Sequence, residues 1–370
     1  MKRVLIFIGD AGGGHLSAAN AITETFYTLY GDEFSVKTLD IFTEAGIKPF
    51  KDSAQLYIKV SSSLLSEFIY NCLVFISSTG FGYYLYKTYV NAKLFRATKR
   101  IVESYNPDIL IANNSVITPL MGKMKKEGAP FVVAGLVTDI VNIFRGWADK
   151  NVDCIISPTQ EATKRLLRYG VDPGRILEPL FPINPRLVNF RPRDQVMAEL
   201  GLDVSLKTIL VTAGGVGMAS LDHALDDLAA DPRLQVIILA GRVEKLIREL
   251  TERYADNPRV KVLGFIPNIQ DYYNAVDIVV GKPGPATILE VELFGKKAVL
   301  TRRVGVQENG NVGFALRNPN FRSIGGRWHL LKRTVDELLI QPPVAYPVRR
   351  SFNECELIVK GIVALLEKKR

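Results

Sequence analysis

Asp277-Ile278-Val279-Val280-Gly281-Lys282-Pro283-Gly284-Pro285-Ala286-Thr287-Ile288-Leu289-Glu290 reads as a strand, a glycine-proline turn and the start of a helix. A helix opened by glycines presents unpaired backbone N–H groups and the positive end of its dipole, which suits a diphosphate. Thr287 and Glu290 are three residues apart and share a face of the first turns. A carboxylate placed there suits a ribose diol. About one helix later, Gly305-Val306-Gln307-Glu308-Asn309-Gly310-Asn311 closes the unit. The pattern points to a nucleotide-sugar pocket in the C-terminal half.

Outward from this stretch, short apolar runs alternate with amphipathic ones. Strands are expected at 4–8, 35–39, 109–112, 131–136 and 154–157, then at 208–212, 235–239, 260–263, 278–280 and 297–300. This is the grammar of parallel, doubly wound sheets, and it occurs twice. The fold class expected is therefore α/β, with two Rossmann-like domains. Pro179, Pro182, Pro185 and Pro192 mark a joint between them. The expected division is 1–185, 186–345 and a C-terminal helix in 346–370 that packs back toward the first domain.

At the first strand-to-helix turn stands Gly9-Asp10-Ala11-Gly12-Gly13-Gly14-His15-Leu16-Ser17. Gly9 and Gly14 have P-loop spacing, but His15 and Leu16 occupy the places of the Lys and the Ser or Thr. The dinucleotide pattern fails as well, because Ser17 fills its last glycine slot. Asp40, at the end of the second strand, keeps a ribose contact open. Ligands of such sheets bind at the carboxyl ends of strands, where His15 belongs. Its imidazole suits a general base for a hydroxyl nucleophile. Asp139, after the strand at 131–136, has two readings: an N-cap for the next helix, or a carboxylate that orients His15 or acts as base itself.

A second glycine loop, Ala213-Gly214-Gly215-Val216-Gly217, follows the strand at 208–212. Arg242 follows the next strand and suits a leaving diphosphate. Backbone at Leu263-Gly264-Phe265-Ile266 can read a base edge. No Asp-x-Asp pair occurs and the histidines (His15, His223, His329) are isolated, so no metal is expected.

The chain has 370 residues, a net charge of +9, 47% hydrophobic and 23% charged residues, which is globular composition. The excess of Lys and Arg favours polyanionic partners. No nucleic-acid-binding motif accompanies it, so nucleic acid is not an expected partner. Cys72, Cys154 and Cys355 show no metal or disulfide spacing, and Met1-Lys2-Arg3 runs straight into a strand. An intracellular protein is the expectation.

One region departs from the βαβ rhythm. Residues 56–95 are rich in aromatic and aliphatic side chains, among them Phe68, Tyr70, Phe75, Phe81, Tyr83 and Tyr84, with Lys87, Lys93, Arg96, Lys99 and Arg100 close behind. A transmembrane helix is disfavoured by Glu67 and by Ser77-Ser78-Thr79-Gly80. A buried pair of core helices and an interfacial segment, apolar on one side and basic at its end, both stand.

These motifs resemble the diacylglycerol glycosyltransferases, namely plant monogalactosyldiacylglycerol synthases and bacterial processive glucosyltransferases. The N-acetylglucosaminyltransferase that completes the peptidoglycan lipid intermediate is a more distant relative. The resemblance rests on Gly12-Gly13-Gly14-His15, Thr138-Asp139, Lys282-Pro283-Gly284, Thr287, Glu290, Gln307-Glu308-Asn309 and Asn311. It implies a GT-B architecture, with two Rossmann-like domains facing across a cleft. It also implies inverting, metal-independent transfer of a hexose from a UDP-sugar to a lipid hydroxyl. By position, Glu290 holds the ribose, and Gln307 and Glu308 hold sugar hydroxyls. Gly214, Gly215 and the helix after Gly284 face the phosphates, Phe265 and Ile266 flank uracil, and Gly13 and Gly14 join the donor-binding set. Pro283 and Asn311 complete the donor set.

Three positions depart from the family. Ile143-Phe144-Arg145-Gly146-Trp147 lacks the histidine usual after the Thr-Asp element. Pro107-Asp108 leads to Asn113-Asn114 where a histidine is common. Val216 replaces an acidic residue. The expected function is glycolipid synthesis by a cytoplasmic protein bound peripherally to the inner face of the cell membrane. Its partners would be a UDP-sugar, a lipid acceptor (diacylglycerol first) and an anionic membrane surface. Transfer to a polyprenyl-linked acceptor, a UDP-sugar 2-epimerase and a non-catalytic UDP-sugar-binding protein are the alternatives.

Overall fold

The strands are apolar almost without interruption because helices cover both faces of each sheet. In the first strand, Val4, Ile6 and Ile8 point to one core cluster, while Leu5 and Phe7 point to another on the opposite face. The computed structural model describes residues 1–9, 13–46, 79–212, 222–303, 308–347 and 350–369. These fall into two compact units, one built on Met1–Pro185 and the C-terminal stretch from Phe352, the other on residues from Arg186 to Ser351.

The first unit contains β1 (Lys2–Ile8), β2 (Phe34–Asp40), β3 (Ile109–Asn113), β4 (Val132–Leu136), β5 (Cys154–Ile156) and β6 (Ile176–Leu177), in the order β2-β1-β3-β4-β5-β6. All pairings are parallel. The chain builds outward from β1 to β2, then returns to place β3 on the other side of β1. The switch point therefore lies between β1 and β3. Helix Gly13–Tyr30 packs beside the C-terminal helix Glu354–Glu367 on one face, sharing Ile22, Phe26, Ile358 and Ile362. The long helix Gly80–Tyr105 buries Val90, Leu94 and Val102 on the other face.

The second unit repeats the plan with β7 (Lys207–Thr212), β8 (Leu234–Leu239), β9 (Val260–Leu263), β10 (Ile278–Gly281), β11 (Lys297–Leu300) and β12 (Phe321–Ser323). Their order is β12-β11-β10-β7-β8-β9, again all parallel, with the switch point between β7 and β10. The ten expected strands are present within one or two residues at their ends. Edge strands β6 and β12 were not expected; two and three residues are too short to stand out as apolar runs.

One expectation is corrected here. Asp40 does not face a ligand: Oδ1 accepts from Phe42 N at 3.0 Å and Oδ2 from Thr43 Oγ1 at 2.7 Å, so it caps the five-residue helix Ile41–Ala45. Of the segment 56–95 only 79–95 is described, and it forms the start of Gly80–Tyr105; the reading as a buried pair of core helices falls for the rest outside the described residues. No described helix is long and apolar enough to cross a membrane. Phe68, Tyr70, Phe75, Gly214, Gly215 and Gln307 lie outside the described residues.

Candidate functional site

In the first unit, the chemistry gathers at the carboxyl ends of β1, β3 and β4. β1 ends at Gly9, where a β-carbon would lie 2.6 Å from Asn114 Nδ2 and 2.6 Å from the Phe42 ring, so only glycine fits. Gly13 opens the following helix and His15 is its third residue, inside the turn whose N–H groups lack intrahelical partners. Asn113, fully buried at the end of β3, reaches across the switch point. Its Oδ1 lies 3.1 Å from His15 Nδ1, and its Nδ2 donates to the His15 main-chain carbonyl at 2.9 Å. Thr138 Oγ1, beyond β4, lies 3.4 Å from the same ring nitrogen. His15 itself is half-buried.

Asp139 sits beside this group but accepts from the indole of buried Trp147 at 2.8 Å. It precedes an irregular loop, so it is not the N-cap of an α-helix. Inspection of the sequence marks Asn113 only as a departure from the family pattern, not as the partner of His15. It is 98 residues from His15, and only the placement of β3 next to β1 brings the two together.

In the second unit, the helix Pro285–Leu293 starts at the β7–β10 switch point. Gly284 is its N-cap, with extended backbone and no side-chain cap, and Pro285 is its first residue. The first intrahelical bond is Ile288 N to Gly284 O at 3.1 Å, so the N–H groups of Ala286 and Thr287 have no partner within the helix. The approach of β7 is close. A β-carbon on Gly281 would lie 2.5 Å from Thr212 Oγ1 and 3.5 Å from Thr287 Cγ2. Asn311 Nδ2 donates to Pro283 O at 3.0 Å and ties the second half of the motif to the turn. Its Oδ1 is buried with no hydrogen-bond partner among the described residues, so it is an acceptor suited to a ligand donor. Glu308 is buried and pairs with Lys282 Nζ at 3.3 Å.

Glu290 is 8% exposed. Burial pushes its carboxyl up to about 7, against the opposing pull of the neighbouring Tyr273 hydroxyl. Tyr273 is itself raised well above the ordinary phenol range by burial and by Glu290. Along the same sheet edge, the exposed Arg242 stacks on the exposed Phe265 ring with its guanidinium carbon 4.1 Å from the centroid. Ile266 follows half-buried. Thus Pro283, Gly284, Thr287 and Asn311 form one group, Lys282 and Glu308 are paired, and Arg242 with Phe265 forms another at neighbouring strand ends. No group of three or more His, Cys, Asp or Glu suited to a metal occurs among the described residues.

The helix Gly80–Tyr105 carries a long exposed stripe. Phe81, Tyr84, Leu85 and Tyr89 are 74%, 66%, 52% and 45% exposed, large values for apolar side chains, and Lys93, Arg96 and Arg100 continue the same face. Tyr83 is not part of it. At helical spacing it turns inward and packs edge-on against Phe144, with centroids 6.1 Å apart.

Comparison with known proteins agrees with this layout. Residues 15–179 match the family described as monogalactosyldiacylglycerol (MGDG) synthase, and residues 208–305 match the glycosyltransferase family 28 C-terminal domain. The monogalactosyldiacylglycerol synthase of Spinacia oleracea is 30% identical over 86% of this chain and 62% of its own length. The chain thus spans about three fifths of the length of the curated relatives it matches. Among solved structures, Acinetobacter baumannii MurG aligns with a TM-score of 0.61 at 14% identity, over 98% of this chain and 100% of its own. The UDP-GlcNAc 2-epimerase of Neisseria meningitidis bound to UDP-GlcNAc aligns at 0.62 and 12%, over 98% and 100%. The two parallel sheets and these neighbours define a GT-B fold. The resemblance carried by the motifs is borne out as well: the chain is a relative of the diacylglycerol glycosyltransferases.

Proposed function

We propose that this protein is an inverting, metal-independent glycosyltransferase that moves a hexose from a UDP-sugar to the free hydroxyl of diacylglycerol. The observation that carries this reading is the family match over 15–179, which begins on the one histidine that β3 and β4 hold at a switch point. The donor belongs to the second unit. Its diphosphate lies against the open helix start at Gly284 and the Arg242 guanidinium, its ribose on Glu290, its uracil beside Phe265 and Ile266, and its sugar near Glu308.

The acceptor oxygen attacks the anomeric carbon as the bond from that carbon to the diphosphate oxygen breaks. UDP leaves with its electron pair, the anomeric centre inverts and the acceptor proton passes to His15. General-base help of this kind contributes about 10²–10⁴-fold. Helix dipole and cation balance the departing charge, so the scheme needs no divalent ion. Diacylglycerol resides in membranes, and the stripe from Phe81 to Arg100 suits an anionic lipid surface. Aromatic side chains sit at the interface, and each Lys or Arg near it contributes about 1 kcal/mol. Peripheral attachment at the inner face of the cell membrane completes the reading.

The test is His15→Ala assayed with UDP-glucose and UDP-galactose on diacylglycerol vesicles. Turnover should fall by about 100-fold or more while UDP affinity stays nearly unchanged. Unchanged turnover would remove His15 from the chemistry.

A further inference from the structure

A neutral imidazole carries its proton on one nitrogen and a lone pair on the other, so its basic atom is chosen by whatever holds the opposite nitrogen. For His15 that partner is Asn113, and the orientation of the Asn113 amide is determined. Its nitrogen faces the His15 main-chain oxygen at 2.9 Å, and that oxygen can only accept. Turning the amide over would set oxygen against oxygen. The Asn113 Oδ1, 3.1 Å from His15 Nδ1, can likewise only accept. The hydrogen therefore sits on Nδ1. Thr138 Oγ1 at 3.4 Å accepts alongside. The nearby carboxylate, Asp139, is engaged by the Trp147 indole at 2.8 Å.

We infer that Asn113 is the positioning residue that holds His15 as the Nδ1–H tautomer and so makes Nε2 the atom that takes the acceptor proton. This rests on the proposed role of His15 as base. Two features make the device specific. Asn113 is fully buried and belongs to a strand, so its amide does not swing. Its grip is also two-sided, on the ring and on the main chain of the same residue, which sets ring orientation together with tautomer. An amide carries no charge, so it selects the tautomer through hydrogen-bond geometry rather than through a charge beside the ring. A carboxylate in the same place would favour the charged ring.

The experiment uses the full chain with ¹⁵N-labelled histidine, assigned by loss of one signal set in His15→Ala. At pH 8 the wild-type His15 should show a protonated Nδ1 and a lone-pair Nε2. Asn113→Leu should shift it toward the other tautomer and lower kcat by about tenfold or more with donor KM unchanged. Asn113→Asp keeps an acceptor for the Nδ1 hydrogen but loses the bond to the His15 carbonyl; once circular dichroism shows it folded, it should keep the tautomer and move the acid limb of the pH–rate profile up by about one unit or more. A merely structural tie between β3 and the helix would change stability in the Leu variant and leave tautomer and profile alone. A proton on Nε2 in the wild type, or an unaltered tautomer in Asn113→Leu, would overturn the inference. Full turnover in His15→Ala would instead overturn the base assignment on which it rests, whatever the tautomer.

Discussion

The Tyr273 hydroxyl lies beside the Glu290 carboxyl inside the second unit, yet its opposing pull does not offset the burial that lifts the carboxyl to about 7. Without a bound ligand the group is half protonated near neutral pH. A carboxylate buried at such a cost makes Glu290 a candidate binding residue.

Its consequence for stability has a definite sign. The ordinary value is 4.5 and the folded value about 7, so the folded state holds more protons across that window. The stability this contributes is complete below about pH 4.5 and is lost as pH rises toward and through 7, a change on the order of 3 kcal/mol. Glu290→Gln should therefore be more stable than wild type at pH 8 and nearly equal at pH 5, by urea denaturation. Its UDP-glucose affinity should be lower at pH 8, and the rise in affinity from pH 6 to 8 expected of the wild type should vanish. A variant destabilised at pH 8, or one binding normally, would contradict the assignment.

Gly281 is required by its neighbour. A β-carbon there would sit 2.5 Å from Thr212 Oγ1 at the end of β7. Gly281→Ala should cost about 1–3 kcal/mol and weaken UDP-glucose binding by displacing the turn. Adding Thr212→Ala removes the clashing oxygen and should restore at least half of the stability. If the double variant is no better than the single one, the close approach is not the cause.

The exposed stripe on Gly80–Tyr105 divides into an aromatic half and a basic half, and the two should respond to different lipids. Phe81→Ser with Tyr84→Ser should reduce sedimentation with both neutral and anionic vesicles by about tenfold. Arg96→Gln with Arg100→Gln should reduce it only with anionic vesicles, by about fivefold per charge, and less so in high salt. Vesicle binding unaffected by either pair would detach this helix from the membrane.

Much of the fold is legible in the sequence because buried parallel strands are short apolar runs that end in glycine turns, as Ile278-Val279-Val280-Gly281 does. β6 and β12 give no such signal, because edge pairing needs only two or three residues of extended backbone. Asp40 reads in the sequence as a possible ribose contact. Its spacing to Phe42 and Thr43 is that of a cap, and the cap prevails. Tyr83 groups with Phe81 and Tyr84 by proximity in sequence, whereas the helical period sends it to the other side. Asn113 stands out in the sequence only as a departure from the family pattern, because its contact with His15 comes from strand order.

The central claim is transfer of a hexose from a UDP-sugar to a lipid hydroxyl. The most direct measurement is mass spectrometry of purified protein incubated, with a metal chelator, with diacylglycerol vesicles and either UDP-glucose or UDP-galactose. The account predicts hexosyl-diacylglycerol of inverted anomeric configuration, formed in equal amount with UDP. Consumption of donor that yields only free or epimerised sugar, with no lipid product from either donor, would contradict it.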